Sequence, residues 1–210
     1  MDILYEDSAV VVCIKPRGIL SQSDKKGGES MVTILSEHTG GEIFPVHRLD
    51  KETGGVMVYA KTQKAAAELS RDISEHRFYK EYLAIAHGVP EENSGTLCDF
   101  LFHDKAKNKS YVAKRERKGV KKAELYYEVL ETKEKEGEKY SLLRVVLHTG
   151  RTHQIRVQLA HRKMPLLGDR KYGAKDGEKN LGLWAAKLKF THPKTGETLE
   201  FTAETDFINF

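Results

Sequence analysis

The apolar residues of this chain come in short runs cut by glycine and proline, and that spacing restricts what it can build. "AVVVCIK" (9–15) is β-branched and stops at Pro16 and Gly18, as a buried strand does, because proline cannot donate to a ladder and glycine favours a turn. "GVMVYA" (55–60), "YLAIA" (82–86, closed by Gly88 and Pro90) and 183–190 read the same way, and 198–202 follows across the turn "THPKTGE". Residues 124–131 and 140–148 alternate in polarity, and the polar "TKEKEGEK" between them reads as a hairpin loop with Gly137 near its tip.

Only three stretches have helical spacing. Residues 30–38 carry Ile34 and Leu35 inward; 62–76 repeat Ala65, Ala66, Leu69 and Ile73 behind Thr62 as N-cap; 152–161 place Ile155 and Leu159 one turn apart, with Thr152 as the expected cap. Residues 21–29 read as a polar loop. Many strands, few helices and no regular β–α alternation predict an α+β fold, a mostly antiparallel mixed sheet flanked by a few helices, in a single domain spanning 1–210. With 39% hydrophobic residues in 210, the chain can fill one core.

No run approaches the roughly 20 apolar residues that span a bilayer, and "MDILYEDS" lacks the basic-then-apolar order of a secretory signal, so a soluble, cytoplasmic protein is expected. Cys13 and Cys98 have no ligand-like spacing, which argues against a zinc site or a disulfide scaffold; Cys13, inside its apolar run, reads as a buried thiol. The net charge of +4 conceals an uneven distribution: residues 104–122 hold nine Lys or Arg against two acids. Such a stretch serves either as a solvated loop or as a phosphate-contacting surface.

Two segments are rich in reactive side chains. In "HRLDKETGG" (47–55) an acid, Asp50, follows a basic residue and precedes a Thr-Gly-Gly turn, a pattern that a loop salt bridge would also produce. In "TGRTHQIRVQLAH" (149–161), helical geometry puts Arg156 beside Ile155 and Leu159 rather than on the solvent face. A guanidinium at the margin of a core needs a carboxylate partner, for which Asp50 is a candidate; an aspartate so paired stays ionised. His47, His153 and His161 lack the cysteine partners and tight spacing of a metal site, so no metal is expected.

These segments resemble the blocks of the RluA-type RNA pseudouridine synthases. "HRLDKETGG" is similar to that family's HRLD-x-x-T-S-G signature. "KEYLA" (80–84), "GRTHQIR" (150–156) and "GDRKYG" (168–173) look like its other blocks in the same order, and the opening "ILYEDSAVVVCIKPRGIL" and the closing "LKFTHPKTGE" extend the likeness over almost the whole chain. The resemblance implies that Asp50 attacks the nucleoside and that Arg48 enters the RNA stack as the target base leaves. Tyr82 would pack on the uracil ring, Arg156 would pair with the catalytic carboxylate, and Leu159 would line the pocket. His47, Arg151, His153 and Gln154 join them as expected RNA contacts. Gly54, where the family usually has serine, and Trp184, where histidine is common, depart from the pattern.

The implied reaction detaches uracil from its sugar, turns it and rejoins it through carbon five. It involves no redox step or group transfer, so no cofactor is expected. Attack on the anomeric carbon and a glycal route both use the aspartate and stay open. The implied partner is ribosomal or transfer RNA, bound by a monomer. Many relatives carry a small RNA-binding domain ahead of these blocks; here the blocks begin almost at residue 1, so RNA contact is expected to fall to the basic stretch, through Lys114, Arg115 and Arg117, with Tyr111 stacking. Two other classes compete: a non-catalytic RNA-binding protein on the same fold, which would dispense with Asp50 or Arg156, and a nucleoside glycosidase, which would release free uracil.

Overall fold

The computed structural model describes residues 2–23, 28–205 and 207, so residues 24–27 of the expected 21–29 loop lie outside the described residues. In chain order it runs β1 (Ile3–Glu6), β2 (Val10–Lys15), α1 (Met31–Thr39), β3 (Phe44–Pro45), β4 (Gly54–Ala60), α2 (Gln63–Ser74) and β5 (Tyr79–His87). Then come β6 (Ser94–Asp104), β7 (Lys109–Ala113), β8 (Val120–Lys135), β9 (Glu138–Leu147), α3 (Gln154–His161), a 3-10 turn (Arg170–Tyr172), β10 (Leu183–Thr191) and β11 (Thr198–Thr202). This is the expected α+β class, with mixed pairing that is mostly antiparallel.

The chain forms two compact units. The first joins Met1–Lys80 to Trp184–Thr205. In it β2 pairs antiparallel with β1 and β4, β4 also pairs with β3 and, in parallel, with β10, and β11 closes antiparallel on β10. Every residue of β4 is buried, which explains why "GVMVYA" does not alternate. Phe78 stacks on Phe190 at 5.3 Å between ring centroids, and Phe190 on Phe201 at 6.1 Å, so this aromatic file fastens the returning strands. The Cys13 thiol is buried here, with its pKa pushed up to about 12 by desolvation. Ser30 caps α1 in a capping box, and Thr62 caps α2 as expected, accepting from the Ala65 amide.

The second unit, built on Glu81–Leu183, holds five antiparallel strands in the order β5-β9-β8-β6-β7. Helix α3 packs on one face, where Val157 meets Leu101 and Ala123. Gln158 donates to Leu97 O at 3.3 Å and to Asp99 at 2.8 Å, and Arg162 also reaches Asp99 at 2.8 Å. Burial desolvates the Asp99 carboxyl, yet the hydrogen bonds from Arg162 and Gln158 and the nearby positive charge together outweigh this and hold its pKa below the usual value.

Three expectations are corrected. The polar "TKEKEGEK" is ladder, with Lys135 opposite Glu138; only Glu136 and Gly137 turn, both at positive φ (55° and 79°). Alternating Lys and Glu look like a loop by composition, but both faces of a projecting two-stranded ribbon are wet. The basic stretch is partly strand, namely the end of β6, all of β7 and the start of β8, joined by turns at 105–108 and 114–119, with Asp104 accepting the amides of Ala106 and Lys107 to close the first of them. Thr152 does not cap α3: the N-cap is His153, left-handed at φ 54°, and no side chain caps it.

At the β4–β10 pairing, Gly55 (φ 120°) lies so close to β10 that a Cβ would stand 2.2 Å from Ala185 O and 2.6 Å from Ala185 N. Gly55→Ala should therefore destabilise the protein by about 3 kcal/mol or more, read from urea melts; a loss under about 1 kcal/mol would show that this close approach is not required.

Candidate active site

The loop that carries Asp50 is tied down through its main chain. Ser21 Oγ accepts from Leu49 N at 3.0 Å and donates to Leu49 O at 2.9 Å, while Tyr59 OH secures Ser21 O at 3.0 Å. Beyond Asp50, its own carbonyl accepts from Thr53 N at 3.0 Å, that of Lys51 from Gly18 N at 2.9 Å, and that of Glu52 from Arg17 at 3.0 Å. Lys15 is fully buried, and its ammonium donates to Pro16 O (2.8 Å), Ile19 O (2.7 Å) and Lys51 O (3.2 Å). Burial lowers its pKa to about 8, against the opposing pull of Glu52 and Asp50. Asp50 itself is half-buried. Its main chain is fixed by these contacts.

His47, expected as an RNA contact, is also tied to the sheet. Strand β3 ends its pairing with β4 at Pro45, and the His47 imidazole takes over, its Nε2 accepting from Val58 N at 3.2 Å. An accepting Nε2 requires a neutral ring, and burial, aided by Lys80, lowers the pKa to about 3. Arg48 beside it is exposed.

The two departures from the family pattern prove to be neighbours. Trp184 and Gly54 face each other in the parallel β4–β10 register. A Cβ on Gly54 would lie 2.3 Å from the indole ring of Trp184, which occupies the space a larger residue would need. Trp184 Nε1 donates to Ala203 O at 3.3 Å, and the Arg17 guanidinium sits 5.4 Å from the Trp184 ring centroid. The same arginine holds Glu52 O, so the indole supports the Asp50 loop. What looked like two independent changes is one exchange of volume.

The second unit holds the other expected residues. Arg156 is 7% exposed and does have its carboxylate: Nε donates to Asp169 Oδ2 at 2.7 Å and Nη2 to Asp169 Oδ1 at 2.8 Å. Asp169, from "GDRKYG", is a bidentate carboxylate partner that the sequence reading does not name. Tyr172 of the same motif lays its ring over Arg156 (5.2 Å), receives the Ser110 amide at 2.8 Å on its hydroxyl, and meets His153 Nδ1 at 2.9 Å. Burial raises the Tyr172 pKa, so its hydroxyl keeps its proton. Composition alone marked neither Asp169 nor Tyr172; the need of a buried guanidinium for an acid was the available signal.

Gln154 is buried and fully engaged: Oε1 accepts from Thr149 Oγ1 (2.7 Å) and Arg151 N (3.0 Å), and Nε2 donates to Glu124 O (3.1 Å). With His153 it braces the turn into α3. Arg151 is half-buried, its Nε on Lys122 O at 2.9 Å. Tyr82 is 7% exposed on β5 opposite Val145, and Leu159 is wholly buried. Lys114, Arg115 and Arg117 are exposed in the β7–β8 turn.

Residues 9–161 match the family model described as RNA pseudouridylate synthase. The chain is 32% identical over 225 residues to a tRNA pseudouridine synthase C of Haemophilus ducreyi, covering 98% of this chain and 91% of that protein. It is 33% identical over 231 residues to a ribosomal large subunit pseudouridine synthase D of Pasteurella multocida, covering 99% and 69%. The human RNA pseudouridylate synthase domain containing 1 has the same fold, with a TM-score of 0.82 at 24% identity over 99% of this chain and 84% of that one. The protein is thus an isomerase by class. It belongs to the RNA pseudouridylate synthase family, as its motifs indicated.

Two measurements test how the first unit holds its loop. Gly54→Ser should clash with Trp184 and destabilise, and Trp184→His in the same chain should recover most of the loss, with a coupling of at least about 1 kcal/mol in urea melts; strictly additive variants would refute the exchange. For His47, the folded state resists a proton that the unfolded state accepts below about pH 6.5, so stability should fall as pH drops from 6.5 towards 3. Between pH 6.5 and 5, above the carboxylate range, His47→Gln should flatten that slope; an unchanged slope would remove His47 as its source.

Proposed function

We propose that this protein converts uridine to pseudouridine in structured ribosomal or transfer RNA, acting as a cytoplasmic monomer, with Asp50 as the catalytic carboxylate. The observation that carries the proposal is the family match over residues 9–161, which contains the whole Asp50 loop. Among the described residues no helix is long and apolar enough to cross a membrane.

In the proposed reaction the N1–C1′ bond of uridine breaks, the freed uracil turns, and a C5–C1′ bond forms. The proton on C5 leaves and N1 gains one, so atoms balance with no oxidant or co-reactant. Asp50, ionised, either attacks C1′ or removes a sugar proton. Tyr82 supplies a flat apolar wall for the ring, Leu159 backs it, and Arg48 fills the place the base vacates. Arg156 takes the role of the basic group that the family likeness assigns to this reaction. The grip of Asp169 supports this role, because a guanidinium clamped at Nε and Nη2 has one orientation and does not reorganise during the reaction. Lys114, Arg115, Arg117 and Arg151 neutralise phosphates. His47, His153 and Gln154 act behind these groups as braces.

Asp50→Asn keeps the shape of the side chain and removes its charge. The variant should fold and bind RNA like wild type while uridine conversion falls on the order of 10³-fold or more. Conversion is measured on purified RNA, with the target sites mapped in RNA from cells with and without the gene. Normal turnover by the variant would end the assignment of Asp50, and release of free uracil by wild type would replace isomerisation with hydrolysis.

A further inference from the structure

The five exposed large apolar side chains among the described residues include two aromatics, Phe102 (36% exposed) and Tyr111 (39%). They are not scattered. Phe102 on β6 stands directly opposite Tyr111 on β7. Side chains alternate along a strand, so direct partners share a face. The next pair, Leu101 and Val112, points the other way: Leu101 is buried, and both pack with Val157 of α3. The face that carries Phe102 and Tyr111 is therefore the one turned away from α3 and from Arg156. Phe100, two residues before Phe102, is half-buried on the same face.

Nothing in the core requires two rings there, and their surroundings are basic. Residues 104–122, which border the pair in sequence, carry nine Lys or Arg against Asp104 and Glu116. Lys109 holds its ammonium 5.8 Å from the Tyr111 ring centroid, and Lys105, Lys107, Lys114 and Arg115 are exposed in the turns at the ends of β7. An exposed apolar pair with a dense cationic border fits a ligand that is flat, aromatic and polyanionic.

We propose that the open face of β6 and β7 is a stacking platform for unpaired RNA, on which Phe102 and Tyr111 take bases while the surrounding lysines and arginines hold the backbone. The proposal rests on the RNA substrate argued above and adds the form of RNA required. In a duplex the base faces are already stacked on each other, so aromatic side chains gain only where bases are splayed. Because the platform faces away from α3, its bases are ones flanking the target uridine rather than the target itself. The enzyme would thus recognise a uridine beside a single-stranded segment.

The test is fluorescence anisotropy at fixed salt, with a labelled single-stranded oligouridylate and a blunt RNA duplex of equal length. Phe102→Ala and Tyr111→Ala should each weaken binding of the single strand about tenfold, and Tyr111→Phe should retain it, since stacking needs the ring and not the hydroxyl. Duplex affinity should change less than about twofold in all three variants, and urea midpoints verify that each remains folded. Unchanged affinity for the single strand, or an equal loss on both RNAs, overturns the platform. Because binding is read without turnover, ring-dependent binding by a wild-type protein that converts no uridine would remove the isomerase assignment alone. Full conversion with ring-independent binding would remove the platform alone.

Discussion

An ammonium group sealed from water must find donors' worth of acceptors inside the protein, and Lys15 finds them in three backbone carbonyls from two loops. That requirement organises the first unit around its candidate carboxylate. The carbonyl of Lys51 can be shared between Lys15 and Gly18 only if the turn at 50–53 lies against the end of β2. A neutral residue of similar length would fill the space and leave those carbonyls unsatisfied. The charge also sets a favourable potential for an acid close by, since Asp50 and Glu52 both act on Lys15 in the direction that keeps it protonated.

The second unit meets the same requirement for a buried guanidinium. Arg156 is buried on the helix that meets the sheet, and Asp169 and Tyr172 enclose it from one short motif. Tyr172 reaches further: its hydroxyl links the Ser110 amide of β7 to His153 at the start of α3. Lys109 of β7 lies over the same ring at 5.2 Å. The basic hairpin and the buried guanidinium are therefore attached to a single phenol, and a change in one is felt at the other.

Much of this was legible from residue order. Strands β2, β4, β5, β10 and β11 announced themselves as apolar runs ending in turn residues, and Thr62 marked the start of α2. The motifs named the family. The failures have physical causes. Polar ribbons such as 131–139 have no dry face, so hydrophobic periodicity has nothing to report. Strands β6 and β7 mix Phe, Lys and Asp because one face is covered by α3 and the other is open. The start of α3 rests on Gln154 and a left-handed His153, which no capping rule anticipates. The candidate site was legible as a set of reactive groups, whereas its supports, Lys15, Ser21, Asp169 and Tyr172, were not, since a brace is recognised by what it touches.

The pairing of β4 with β10 has a consequence for how the molecule comes into being. Gly54 and Trp184 are neighbours in space but 130 positions apart in the chain (184 minus 54). During synthesis the loop bearing Asp50 leaves the ribosome long before the strand and indole that prop it exist, and no local contact can substitute for them. The nascent polypeptide thus carries the Asp50 loop unpropped until Trp184 and its strand have been made.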